Sequence, residues 1–415
     1  MKNMNKQDIA STLYRKVREK QLKDFKSRMP SDKQGVEFTH NGITYVAAIR
    51  RLTPTECAKL QTVPDDYEFS TSETQQYRCL GNGWTIEVIK HILGFLPEET
   101  KKSMRVLSLF DGMSCGQIAL KEIGANVTTY LASEIDKHAI ANTQHNFPNT
   151  VQLGSVTDLN IEEIVEKYGM PDILIGGSPC QSFSFSGKMK GMSTKSGEEI
   201  YTLEHYLELK RQGFEFEGQS YLFWEYMRIL TELRKYNPNI YFLLENVKML
   251  EKWERCLSNA IGVRGVHINS ALVSAQQRKR IYWSNIRTRQ VENGKLFSDE
   301  EDNDPFAWPN VATDIPQPED RGLVIRDVLQ DNVGEKYYLK DETTAKLIDR
   351  TDKNKLKDYL LEPQVSIDEA LAYMDAHSDY EVFTNEEKRD IASLGYELEK
   401  QRLLSNYYGE SIPNG

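Results

Sequence analysis

The sequence predicts an α/β fold: an open, largely parallel sheet with helices on both faces, joined to a smaller second lobe. Short runs of apolar, β-prone residues at 105–110, 127–132, 172–177 and 240–244 alternate with segments of helical periodicity. These runs end in glycine-bearing or acidic loops, the place where open α/β sheets bind ligands. The chain has 415 residues, 39% hydrophobic and 27% charged, enough for two lobes with cores of their own.

Composition narrows the function. No stretch of about 18 apolar residues occurs, and the N-terminus carries no apolar signal region, so the expectation is a cytoplasmic protein with no membrane partner. Cysteines 57, 79, 115, 180 and 256 include no Cys-x-x-Cys pair and no Cys/His cluster. Reduced thiols are expected, with no disulfide framework and no metal. The net charge of -10 opposes a nucleic-acid partner only if the charge is evenly spread. It is not: residues 15–33 are strongly basic, Arg278-Lys279-Arg280 is a second basic cluster, and acid concentrates at 299–302 and 366–400.

Taken in order, residues 7–29 read as a polar helix ended by Met29-Pro30-Ser31-Asp32. A strand is expected at 42–50. Thr53, Pro54 and Glu56 then have the spacing of a cap, a first-turn proline and a capping box, which start a helix with Cys57 and Leu60 on its core face. Gly81-Asn82-Gly83 reads as a tight turn into a helix carrying Ile86, Ile89, Ile92 and Leu93, and 97–102 as a short polar linker.

Beyond the linker, the strand at 105–110 runs through Asp111-Gly-Met-Ser-Cys-Gly116 into a helix near 117–123. This strand, loop and helix opening is the form of a nucleotide-cofactor turn, without the full dinucleotide fingerprint. The next strand, 127–132, ends at Glu134, which stands where an acidic residue meets ribose hydroxyls. An ordinary βαβ unit with Glu134 as a helix cap is the competing reading. A helix at 137–145, a short strand at 150–153, a polar insertion at 186–220, a helix at 221–236 and strands at 240–244, 267–273 and 280–286 complete the expected lobe.

The strand at 172–177 delivers Gly176-Gly-Ser-Pro-Cys180. Pro179 stiffens the turn, so the Cys180 sulfur can be aimed at a reacting atom, although a buried structural cysteine fits the local pattern too. Glu245 arrives at the end of a neighbouring strand as a carboxylate partner for a substrate. Arg278 and Arg280 alternate about Lys279 and should point the same way.

Phe110-Asp-Gly, Gly177-Ser-Pro-Cys-Gln181, Glu245-Asn-Val247 and Gln276-x-Arg278-x-Arg280, in this order and spacing, resemble the motifs of the DNA cytosine-5 methyltransferases. Arg51-Leu-Thr-Pro-x-Glu-Cys-x-x-Leu-Gln61 and Gly81-Asn-Gly-Trp84 resemble that family's last two motifs. Here they precede the cofactor loop, so the motif order resembles a circular permutation. The likeness covers 42–95 and 105–286, and is weaker near 321–340.

The resemblance implies a Rossmann-like mixed sheet of the S-adenosylmethionine-dependent methyltransferase type, with a smaller target recognition domain. It implies four segments: a basic helical extension at 1–36, the permuted motifs at 37–100, a catalytic and cofactor-binding domain at 101–288, and target recognition at 289–415. It implies duplex DNA as substrate and S-adenosylmethionine as methyl donor; the oligomeric state stays open, a monomer on DNA being one reading. Cys180 would add to carbon 6 of a flipped cytosine, Glu245 would hold the base edge, Arg278 would face the exocyclic oxygen, and Arg278 or Arg280 would favour the thiolate. Cofactor contacts would come from Phe110, Asp111, Gly112, Ser114, Cys115, Gly116, Glu134, Ile135, Ser155, Val156, Pro179 and Leu222, with Asn82, Gly83 and Trp84 closing the site. Ser155 stands where the family usually has an acidic residue, which weakens the expected grip on the adenine.

Three other readings stay open at this level. One branch of the family methylates transfer RNA. A catalytically silent partner could bind DNA or another methyltransferase, against which Cys180, Glu245 and both arginines argue. A nucleotide-dependent oxidoreductase leaves Cys180 and Glu245 unexplained.

Overall fold

The computed structural model describes residues 4–28, 35–40, 43–179, 192–292, 304–351 and 366–408. They form two compact units, one of residues 1–53 with 330–415 and one of residues 54–329.

In the first unit, α1 (Lys6–Arg28) spans the helix expected at 7–29, and β1 (Val36–His40) pairs antiparallel with β2 (Ile43–Ala47). The second unit begins with α2 (Pro54–Leu60), α3 (Glu73–Asn82), α4 (Ile86–Leu93) and the short α5 (Glu98–Lys102). Then come β3 (Met104–Leu109), α6 (Cys115–Glu122), β4 (Val127–Ser133), α7 (Lys137–Asn146), β5 (Val151–Gln152), α8 (Ile161–Tyr168) and β6 (Ile173–Gly177). After them follow α9 (Leu203–Arg211), α10 (Leu222–Tyr236), β7 (Tyr241–Val247), α11 (Glu251–Ile261), β8 (Val266–Asn269), β9 (Lys279–Ser284), β10 (Thr288–Gln290) and β11 (Val311–Thr313). The chain returns to the first unit with α12 (Asp341–Arg350), α13 (Ile367–Asp375) and α14 (Asn385–Tyr408).

Seven strands form the sheet of the second unit, in the order β5-β4-β3-β6-β7-β9-β8. The pairs from β5 to β7 are parallel, whereas β9 runs antiparallel to both β7 and β8. This is the mixed α/β sheet that the sequence predicts. Side chains alternate across it. Leu107, Leu109, Leu131, Leu174, Phe242, Leu244, Ile281 and Trp283 face one core with α8, α9, α10 and α11. Val106, Tyr130, Ile173, Ile175, Leu243 and Tyr282 face a second core with α4, α6 and α7. Burial on both faces is why these strands read as continuous apolar runs.

Local differences from the expected elements have physical causes. Gly81 and Asn82 are the last turn of α3, not a free turn, because Cys79 and Leu80 are buried and Gly83 N–H closes on Cys79 O at 2.8 Å. The expected polar insertion contains α9, whose Tyr206 and Leu209 are buried one turn apart. Thr202 Oγ1 caps it by accepting from His205 N–H. Residues 98–102 make one helical turn rather than a plain linker, with Lys101 and Lys102 each paired to the glutamate three residues earlier. The strand expected at 267–273 stops at Asn269, whose side chain accepts from Ala271 N–H and opens a 3-10 turn.

The first unit has its own core, in which Ile9, Leu13, Tyr14 and Val17 of α1 meet Ala370 and Met374 of α13 and Ile391 and Ala392 of α14. The basic helix therefore has a buried apolar stripe.

Candidate active site

The carboxyl ends of β3, β4, β6 and β7 bring most of the expected residues to one edge. The loop after β3 is conformationally demanding, since Phe110, Gly112 and Ser114 have φ of 56°, 58° and 65°. Left-handed backbone at a phenylalanine costs on the order of 1–3 kcal/mol and persists only where the surroundings impose it. Asp111 does so. It is buried and accepts hydrogen bonds from Ser108 Oγ at 2.6 Å, Ser114 Oγ at 2.7 Å and Tyr130 OH at 2.8 Å. Burial pushes its carboxyl up to about 6, against the pull of those three donors. Cys115 and Gly116 open α6 in the core, and burial pushes the Cys115 thiol up to about 12, leaving it an inert packed group.

Glu134 ties this loop to the end of β4. Its Oε2 accepts Gly112 N–H at 2.7 Å, and its Oε1 accepts the N–H groups of Ile135 and Asp136, both at 2.8 Å. A carboxylate offers about four acceptor positions, so one remains, on Oε2. Ile135 beside it is 71% exposed. Ser155 is engaged in its own turn, accepting from Thr157 N–H and exchanging a hydrogen bond with Thr157 Oγ1 at 2.7 Å, while Val156 is buried. Phe110 and Leu222 are half-buried against the same core.

At the end of β6, Gly177 lies opposite Glu245 of β7, and Glu245 lies opposite Tyr282 of β9. Glu245 is buried, and its Oε1 pairs with Arg280 Nε at 2.9 Å. A Cβ at Gly177 would stand 2.8 Å from Trp84 Nε1 and 3.1 Å from Glu245 Oε2, so only glycine lets the indole and the carboxylate share that space. Arg278 reaches the same edge, donating through Nη2 to Gly83 O at 2.9 Å. Burial and the neighbouring Arg280 charge lower its affinity for its proton. Asn82 is exposed at the rim and Trp84 half-buried.

Cys180 lies outside the described residues, which reach Pro179 before the break. Asn246 holds the approach, donating to Ser178 Oγ at 3.0 Å and to Ser178 O at 3.3 Å. No role for Asn246 was assigned from sequence, and its place beside Glu245 in the motif was the available signal. Gln276 was also overlooked. It donates to Leu60 O at 2.6 Å and Gln61 Oε1 at 3.0 Å, which joins α2 to the stretch before β9. Among the described residues no cluster of His, Cys, Asp or Glu could hold a metal ion.

Set against known proteins, the profile of the C-5 cytosine-specific DNA methylases matches residues 1–97 and 104–377. The chain belongs to the C-5 cytosine-specific DNA methylase family. Among its relatives, the orphan methyltransferase M.Rho11sI of Bacillus phage rho11s is 30% identical over 285 residues, covering 61% of this chain and 49% of that protein. The orphan methyltransferase M.SPRI of Bacillus phage SPR is 28% identical over 285 residues, covering 63% and 58%. M.SPBetaI of Bacillus phage SPbeta, also an orphan methyltransferase, is 30% identical over 289 residues, covering 60% and 61%. The matched stretch thus spans about half to three fifths of these relatives. No helix among the described residues is long and apolar enough to cross a membrane.

Proposed function

We propose that this chain transfers a methyl group from S-adenosylmethionine to carbon 5 of cytosine in duplex DNA. The observation that carries the reading is the edge at Gly177, where the Glu245 carboxylate, paired to Arg280, lies beside the Trp84 indole three residues before Cys180. In this reading Cys180 adds as a thiolate to carbon 6 of the flipped base, which makes carbon 5 nucleophilic; after methylation there, loss of the carbon 5 proton and elimination of the thiolate restore the aromatic base and free Cys180. Glu245 Oε1 is held by Arg280, leaving Oε2 to meet the base at N3 and the amino group and hold the proton shared there. Arg278, anchored on Gly83 O, faces the exocyclic oxygen.

The cofactor supplies an electrophilic methyl on a sulfonium centre. Residues at the edge fit it: the left-handed turn of Phe110–Ser114 brings backbone close, Glu134 keeps one acceptor position for a ribose hydroxyl, and exposed Ile135 offers a face to the adenine. Ser155, Val156, Leu222, Pro179 and the Asn82–Trp84 corner complete the assignment.

We also read the motif order as a circular permutation. What supports it is the short α5 between the two matched segments, and α4 packing in the same core as Met104 and Val106 of β3. Residues 289–415 are assigned to target recognition, an assignment that spans the boundary between the two compact units at 329/330.

The test is transfer of labelled methyl to duplex DNA and to total transfer RNA by the full chain and by Cys180→Ala. Label in DNA that disappears in the variant is expected. Label confined to RNA would replace the substrate, and label unchanged in the variant would overturn the role of Cys180.

A further inference from the structure

We propose that Arg228 is a positioning residue for the adenine end of the cofactor site, and that α9 completes the device by holding the carboxylate on which Arg228 rests. The inference depends on the cofactor reading above, because the loop concerned carries Ser155 and Val156. That loop has little support of its own. β5 is only two residues long, and the 3-10 turn at Val156–Asp158 is three.

Its carbonyls are taken up instead by cations from the helices. Arg228 Nη2 donates to Val156 O at 3.1 Å and Nη1 to Leu159 O at 3.2 Å, and Lys210 Nζ lies 3.5 Å from Thr157 O. The guanidinium is oriented by Glu225, which accepts from Arg228 Nε at 2.7 Å. Glu225 is fully buried, and its other oxygen accepts from Tyr206 OH and Lys210 Nζ of α9, both at 2.5 Å. Glu232 takes a further contact from Arg228 Nη1 at 3.2 Å.

Each of the three Arg228 side-chain nitrogens therefore has an acceptor, two of them carbonyls of one loop. A planar, rigid guanidinium can span two carbonyls while resting on a carboxylate; a lysine ammonium cannot reproduce that geometry. Glu225 needs its three donors for a related reason, since a buried carboxylate that loses a partner is left undercompensated. The helix inside the polar insertion thereby sets where the Val156 backbone stands.

The experiment compares the full chain with Arg228→Lys and Tyr206→Phe, using S-adenosylmethionine itself as probe in equilibrium dialysis, with kcat at saturating cofactor and thermal melting alongside. Arg228→Lys should weaken cofactor binding by about tenfold, the loss of one charge-assisted hydrogen bond, with kcat at saturation within about twofold. Tyr206→Phe, which leaves Arg228 in place, should weaken it by a smaller factor in the same direction. Cofactor affinity unchanged in both variants while melting falls would overturn the proposal, showing the cluster to be structural only. Loss of kcat with affinity intact would overturn it as well. A parent chain that binds no S-adenosylmethionine would instead remove the cofactor reading, and this inference with it.

Discussion

Asp111 is where a single side chain governs the loop after β3. Ser108 and Ser114 are three residues away on either side of it, but Tyr130 comes from the next strand, brought there because Val106 and Tyr130 are in register. The sequence made the loop legible through Phe110-Asp111-Gly112; it could not show that the aspartate turns inward, because that depends on the neighbouring strand. The Glu245–Arg280 pair was hidden for the same reason, since the antiparallel register of β7 and β9 creates it. Burial raises the Asp111 carboxyl to about 6, above the ordinary value near 4, so the folded state holds that proton more tightly than the unfolded chain. Its contribution to stability is complete below about pH 4 and is lost as pH rises through about 6, a change on the order of 3 kcal/mol. Asp111→Asn should remove this slope. Urea midpoints of parent and variant between pH 4 and 7 check it, and parallel curves for the two proteins would disprove the assignment.

Among elements, the central strands were the most readable, because β3, β6 and β7 are buried on both faces and appear as predominantly apolar runs. Helix α3 was obscured by Gly81 and Gly83, which favour turns locally but here close a helix anchored by Cys79 and Leu80. Helix α9 was obscured by charge, its burial resting on Tyr206 and Leu209. Tertiary contact settled both. The same holds for the tie between α2, α4 and β9: Gln276 meets Leu60 and Gln61, Gln61 Nε2 donates to Leu80 O at 2.8 Å, and Thr85 Oγ1 donates to Gln61 Oε1 at 3.0 Å. Removing Gln276 leaves Leu60 O with Ser274 Oγ and Gln61 Oε1 with Thr85 Oγ1, so Gln276→Ala should cost only the net worth of its hydrogen bonds, about 0.5–1.5 kcal/mol. The loss should show in hydrogen exchange as faster opening of 54–93, with β3 and β6 unchanged. Equal acceleration across the sheet would mean that the tie is not local.

For the whole molecule, charge segregation was visible in sequence and its use was not. The basic α1 meets acidic partners within its own unit, with Lys6 paired to Asp390 at 3.3 Å and Lys16 to Asp379 at 3.6 Å. Exposed pairs of this kind are worth little, so the apolar stripe from Ile9 to Val17 carries that association.

In the other unit, the hydrogen bonds and core contacts that hold 54–93 against β3, α6 and the stretch before β9 do not pass through α5, which buries none of its residues. The peptide link there acts as a tether. A protease site placed between Glu99 and Thr100 should therefore leave residues 54–93 as protected in hydrogen exchange as in the intact chain, a readout independent of the core that joins α1 to α13 and α14 across the cut. Loss of that protection in the cut protein would show that covalent continuity, and not the interface, keeps this corner in place.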